Sequence, residues 1–140
     1  MDDAVRHVLT SYTTWAVVSC SPDPFRDSHR IARLLQSRGY RIVPINPNCD
    51  EVLGERSYAS LHDVPPETGI EVVDIFRRSS EAGAVVDAAI RLGARSVWLQ
   101  LGVVDDAAGA RARAAGLRFV QDRCPVIEWR RLGLPPRIAG

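Results

Sequence analysis

The chain has 140 residues, 46% of them hydrophobic and 25% charged, a balance that suits one folded domain and excludes a disordered chain. Basic and acidic side chains number 18 and 17, leaving +1, and the arginines are spread along the chain, so no nucleic-acid partner is expected. No apolar stretch reaches the ~18 residues of a membrane span, so no membrane partner is expected, and the amino terminus lacks the basic-then-apolar pattern of a secretory signal.

Every basic residue is arginine, so neither a Schiff-base lysine nor a P-loop lysine is available. Cys20, Cys49 and Cys124 make an odd set without a CxxC pair, which points to a reducing, cytoplasmic compartment. His7, His29 and His62 are scattered, and no metal-ligand spacing appears.

Residues 1–14 read as a helical N-terminal extension, 15–132 as the domain, and 133–140, with Pro135-Pro136, as a frayed tail. Trp15-Ala16-Val17-Val18 predicts a buried strand that ends in the polar, Pro-containing loop 19–28. Ile31, Leu34 and Leu35 follow helical spacing up to Gly39. Residues 41–45 predict a second strand, stopped by Asn46-Pro47-Asn48, and 49–67 a crossover with at most short elements. Residues 72–76 predict a third strand. A helix follows, with Ser79 or Ser80 as its cap and Ala82, Val85, Val86, Ala89 and Ile90 on one face. Residues 96–101 predict a fourth strand, 105–115 a helix with a weak apolar stripe, and 117–120 a fifth strand.

Short, near-continuously apolar strands separated by helices predict an α/β fold, a Rossmann-like doubly wound parallel five-stranded sheet in a single domain. The strand order 3-2-1-4-5 is expected. Ligands of such sheets bind beyond the carboxyl ends of the strands, where strand order reverses. That rule selects four loops. The first offers hydroxyls at Ser19, Ser21 and Ser28, the guanidinium of Arg26 and the free amides of the next helix, the ingredients of a phosphate site. Asp27 opposes a bound anion there. Neither GxGxxG nor GxxxxGK[ST] is present, and an ordinary Pro-rich turn would read the same way. The second loop, Pro44-Ile45-Asn46-Pro47-Asn48, suits a shelf beside a flat ring or a plain strand stop. In the third, Phe76 adjoins Arg77 and Arg78, which would meet a phosphate or sit in solvent; Gln100 and Gly102 end the fourth strand.

Taken together these loops resemble the CoA-binding domain family of small bacterial proteins, which is related to the N-terminal CoA-binding domain of the succinyl-CoA synthetase α subunit. The matching residues are Ser21-Pro22-x-Pro24-x-Arg26-x-Ser28, residues 39–47 (GYRIVPINP), Leu53-Gly54-Glu55, Tyr58-x-Ser60-Leu61, Asp74-x-Phe76-Arg77-Arg78, Trp98-Leu99-Gln100-x-Gly102, Ala115-Gly116-Leu117 and Asp122-Arg123-Cys124. They run in order from about Trp15 to Leu132. The resemblance implies binding of coenzyme A, or acyl-CoA, without catalysis. The pyrophosphate would be held by Ser19, Cys20, Ser21, Arg26 and Ser28. The ribose and adenine would lie by Pro44, Asn46, Pro47 and Asn48, and Ile75, Phe76, Arg77, Leu99 and Gln100 would close around the ligand. An acyl-CoA enzyme or a second copy of the chain is the protein partner it implies.

Two positions depart from the family pattern. Ser19 stands where glycine is usual, and a Cβ there adds bulk and disfavours a positive φ. Asn48 stands where a basic residue often faces the ribose 3′-phosphate. Cys20 is the best nucleophile candidate, since a helix N-terminus and Arg26 would favour its thiolate, but a buried filler is the commoner role. His29 is a phosphate contact or an exposed helix residue, and Cys124 reads as structural. In the related synthetases the active-site histidine lies in a separate domain that this sequence lacks. The alternatives are an NAD(P)-dependent oxidoreductase-like domain, and an interaction domain that has lost its ligand.

Overall fold

The computed structural model describes residues 2–137; Met1 and 138–140, the two ends of the expected extension and tail, lie outside the described residues. In chain order the elements are α1 (Asp2–Ser11), β1 (Thr14–Val18), α2 (Asp27–Ser37), β2 (Arg41–Ile45), a hairpin of β3 (Glu51–Val52) and β4 (Glu55–Arg56), two short 3-10 turns (Leu61–Asp63 and Pro66–Thr68), β5 (Val72–Ile75), α3 (Ser79–Leu92), β6 (Ser96–Leu99), α4 (Asp106–Ala114), β7 (Arg118–Val120) and α5 (Pro125–Arg131).

The main sheet is five-stranded and parallel, in the order β2-β1-β5-β6-β7. In terms of the five long strands this is 2-1-3-4-5, not the expected 3-2-1-4-5. The difference has a local cause in Pro44. Proline has no N–H to give a second neighbour, so it is confined to an edge strand. β2 is that edge, and Tyr58 bridges to its outer side, donating its amide to the Pro44 carbonyl at 3.1 Å. The third strand therefore pairs with β1, Val17 lying opposite Asp74. Strand order reverses between β1 and β5, and the loops that follow those two strands flank one crevice.

Alternation along each strand feeds two cores. Ala16, Val18, Val43, Ile45, Val73, Ile75, Val97 and Leu99 face α3 and α4, meeting Ala82, Val86, Ala89, Ala108 and Ala112. Trp15, Val17, Ile42, Val72, Trp98 and Val120 face the other layer, where α1 contributes Val5, Val8 and Leu9, α2 contributes Ala32 and Leu35, and α5 contributes Trp129. The fully buried rings of Trp15 and Trp98 lie 5.6 Å apart, each with its indole N–H spent on a backbone carbonyl, of Tyr12 and Arg123 respectively. Burial of rings that size supplies a large share of a small core.

Three expectations are corrected locally. Ser79 lies inside α3 rather than capping it; Arg78 holds the cap position, and the Ser79 hydroxyl accepts the Val104 amide at 2.9 Å, tying down the loop after β6. α5 has no counterpart in the sequence reading, although Pro125 at its first turn is a helix-start signal. The tail is docked as far as Arg137: Leu134 is buried, and Arg137 donates from its amide to the Arg38 carbonyl and from its guanidinium to Thr10 and Thr13. Gly39, with φ +92°, makes that docking possible, because a Cβ there would overlap the Arg137 carbonyl.

Candidate functional site

Beyond β1 the chain turns through Ser19, whose φ is +67°. The left-handed conformation is kept although the residue has a Cβ that disfavours it, at a cost of about 1 kcal/mol. Internal bonds then shape the loop. The Ser28 hydroxyl accepts the Ser21 amide, the Ser21 hydroxyl accepts the Asp23 amide (both 3.0 Å), and the Asp23 carboxylate accepts the Phe25 amide at 2.9 Å. His29 donates from Nδ1 to the Ser21 carbonyl at 2.9 Å, so it braces the loop. α2 opens without a side-chain cap, because Arg26 occupies the cap position. The first bond of that helix runs from the Arg30 amide to the Arg26 carbonyl, leaving the amides of Asp27, Ser28 and His29 ahead of it. Asp27 pairs with Arg30, which offsets its charge.

These residues border an open cleft of about 460 Å³, lined by Ser19, Ser21, Arg26, Ser28 and Phe76 together with Phe25 and Asp27. It is not plugged by the chain's own side chains. Arg26 is exposed and, among the described residues, its guanidinium has no ion-pair or hydrogen-bond partner. Arg77 and Arg78 both pair with Glu81, whose carboxyl is held below its usual range mainly by the hydrogen bond from Arg77. Arg26 is thus the cleft's unspent cation. Phe25, 87% exposed, was not singled out from the sequence; an aromatic tip on a polar loop carries no pattern there.

The other expected residues divide. Asn46 is structural: its amide donates to the Cys20 carbonyl and its side-chain oxygen accepts the Asn48 amide, both at 2.9 Å, so it ties the loops after β1 and β2 together. Pro47 and Asn48 stand exposed at the end of β2, whereas Pro44 is buried. Ile75 and Leu99 are fully buried, so their side chains belong to the core and only backbone could meet a ligand. Arg77 faces a different hollow of about 200 Å³, on the α3 side, with Val18, Ile45, Leu61, Val85 and Ala88.

Cys20 is likewise fully buried, and burial, followed by the nearby Asp74 and Cys49, pushes its thiol up to about 12. It is a neutral core thiol, the buried filler that was the commoner role for it, and only its backbone could meet a ligand. Asp74 lies on the same face of the sheet, between Val17 and Trp98 in register. Its carboxyl is fully buried, and desolvation holds it well above the usual carboxylate range. With its amide oriented to donate, Gln100 reaches both Asp74 oxygens, at 2.8 and 3.3 Å. A raised acid binds its proton in the folded state at pH values where the unfolded chain has lost it, so its contribution is complete below about pH 4 and declines as pH rises towards the folded value. Asp74→Asn is therefore expected to gain stability relative to the parent as pH rises from 5 to 8. Urea unfolding at both pH values checks this; a constant difference would contradict it.

A family model described as "CoA binding domain" matches residues 13–130. The chain belongs to the CoA binding domain family. Within reach of that family, it is 32% identical over 120 residues to the uncharacterized protein YneT of Bacillus subtilis, covering 86% of this chain and 87% of that one. A hypothetical protein from Pyrococcus horikoshii is 39% identical, with a TM-score of 0.87 over 94% of this chain and 92% of that chain. The dinucleotide-forming acetyl-coenzyme A synthetase 1 of Ca. Korarchaeum cryptofilum, in complex with phosphate and ADP, is 26% identical with a TM-score of 0.72. There the match covers 87% of this chain but 28% of the synthetase, so it concerns one domain of a longer protein. Within the CoA binding domain family, the positive φ at Ser19 is what a glycine would adopt freely.

Proposed function

We propose that this member of the CoA binding domain family binds coenzyme A without catalysing a reaction on it, with the pyrophosphate at the amino end of α2. The observation that carries this reading is the uncapped start of that helix beside the unpartnered Arg26, in an open cleft between the loops after β1 and β5. Amides aimed along a helix axis favour an anion, and a guanidinium adds a charge-assisted bond. Ser19 and Ser21 line the cleft from the first part of the same loop, Phe76 offers a ring from the loop after β5, and Pro47 and Asn48 stand at the end of β2 where the ribose would lie. Ser28 supports the site by holding the Ser21 amide.

Ligand that binds only the folded state raises stability by about 2.7 kcal/mol at a hundredfold excess over Kd. Coenzyme A at millimolar concentration is therefore expected to raise the melting temperature by several degrees, with a smaller rise from ADP. No shift with coenzyme A, ADP, ATP or NAD would remove the reading, and a larger shift with NAD would favour the dinucleotide alternative.

A further inference from the structure

α2 has two unlike flanks. Asp27, Ile31 and Leu34 border a mainly apolar groove of about 300 Å³ against α5, which shares Asp27 and Phe76 with the phosphate cleft. The other flank carries His29, Arg33 and Gln36, spaced i, i+4 and i+7. A hydrogen bond places each end of that stripe. His29 donates to the Ser21 carbonyl at 2.9 Å, and Gln36 to the Leu53 carbonyl in the β3–β4 hairpin at 3.2 Å. Arg33 therefore stands between the phosphate loop and the hairpin. It is exposed, and among the described residues its guanidinium has no hydrogen-bond or ion-pair partner. Its Cα lies about 9 Å along the axis from that of Asp27. Helical side chains lean towards the amino end, so a long one serves the turn before its own. Arg33 is thus within reach of the first turn of α2 on the hairpin side.

The end of β2 adjoins the same flank, held to the phosphate loop by the bond from the Asn46 amide to the Cys20 carbonyl. In doubly wound sheets the ribose lies at the end of the second strand, and a basic side chain nearby accommodates a phosphate carried on it. Here Asn48 is neutral, and Asp50 and Glu51 are exposed carboxylates that oppose a phosphate. Arg56 lies over the Tyr58 ring, 5.0 Å from its centroid. Arg33 is the cation left to serve this side of the crevice. Resting on the reading that the cleft holds the diphosphate of coenzyme A, we propose that Arg33 binds the ribose 3′-phosphate, supplying from the second turn of α2 the charge that position 48 does not. A guanidinium meets phosphate oxygens through two parallel N–H bonds, which suits a terminal phosphate. Arg33 is then the residue that separates coenzyme A from ligands with a free ribose 3′-hydroxyl.

Titration calorimetry of the full chain with coenzyme A and 3′-dephospho-coenzyme A tests this. Coenzyme A is expected to bind roughly tenfold more tightly, the scale of one charge-assisted contact. Arg33→Gln is expected to remove that preference while keeping the affinity for the dephospho form within about twofold, and adding Asn48→Lys to that variant is expected to bring the preference back. Should Arg33→Gln not fold, Arg33→Ala and the two-ligand comparison on the unaltered protein decide the matter. Equal or tighter binding of the dephospho form by the unaltered protein would overturn the proposal while leaving coenzyme A binding intact. A preference that survives Arg33→Gln, or an equal loss for both ligands, would overturn it as well. Binding of neither ligand would overturn the underlying reading with it.

Discussion

Arg26→Glu is expected to weaken coenzyme A binding by roughly ten- to hundredfold, the equivalent of losing one charge-assisted hydrogen bond of about 1.5–3 kcal/mol. The free protein should keep its stability to within about 0.5 kcal/mol, because the side chain is exposed and makes no contact that the fold uses. The combination separates a ligand contact from a structural one. Arg77→Ala offers the contrast, since Arg77 is engaged with Glu81 and borders the hollow on the α3 side rather than the phosphate cleft. Titration calorimetry at two salt concentrations checks the assignment. The loss from Arg26→Glu should shrink at high salt, where an exposed charge is screened. An equal loss from Arg77→Ala would contradict the placement of the diphosphate.

The double substitution Ser19→Gly, Asn48→Lys is expected to act in the opposite direction. Glycine removes the cost of holding a side chain at φ +67° and clears a Cβ from the cleft wall. Lysine adds a cation at an exposed position where the present side chain has no described partner. If the ribose 3′-phosphate lies there, affinity for coenzyme A should rise by roughly ten- to hundredfold, again the scale of one charge-assisted contact. The gain from the lysine should be absent with 3′-dephospho-coenzyme A, which lacks the group it would meet. Calorimetric titration of both ligands against the double variant and Ser19→Gly alone separates the two effects. Equal gains for the two ligands would show that the end of β2 does not face the 3′-phosphate.

The strands were legible because their burial on both faces leaves uninterrupted apolar runs such as Trp15-Ala16-Val17-Val18. Their order was also encoded, in the missing N–H of Pro44, but that signal acts through a neighbour which the sequence does not display. The position of the candidate site followed only in part from topology: the loop after β1 borders the crevice in either order, but its partner is the loop after β5 in the observed order and the loop after the fourth strand in the expected one. Individual roles were less visible. Ser28 and Ser21 look alike as hydroxyl donors, yet Ser28 is buried and holds a backbone amide. Cys20 and Arg26 share one loop, but the left-handed turn at Ser19 breaks the strand's alternation and puts Cys20 into the core with Trp15 and Val17, while Arg26 is left in solvent. Asp74 was noticed only as part of a motif. Its partnership with Gln100 spans two strands and has no local signature.

Coenzyme A, bound as proposed, lays its diphosphate against the first turn of α2. Backbone amide chemical shifts of the labelled protein, followed during titration with coenzyme A and separately with pantetheine, address that contact directly. Coenzyme A should move the amide signals of Asp27, Ser28 and His29 most, and pantetheine, which lacks the diphosphate, should leave those three nearly unmoved. Saturable shifts with coenzyme A that spare all three amides would contradict the account.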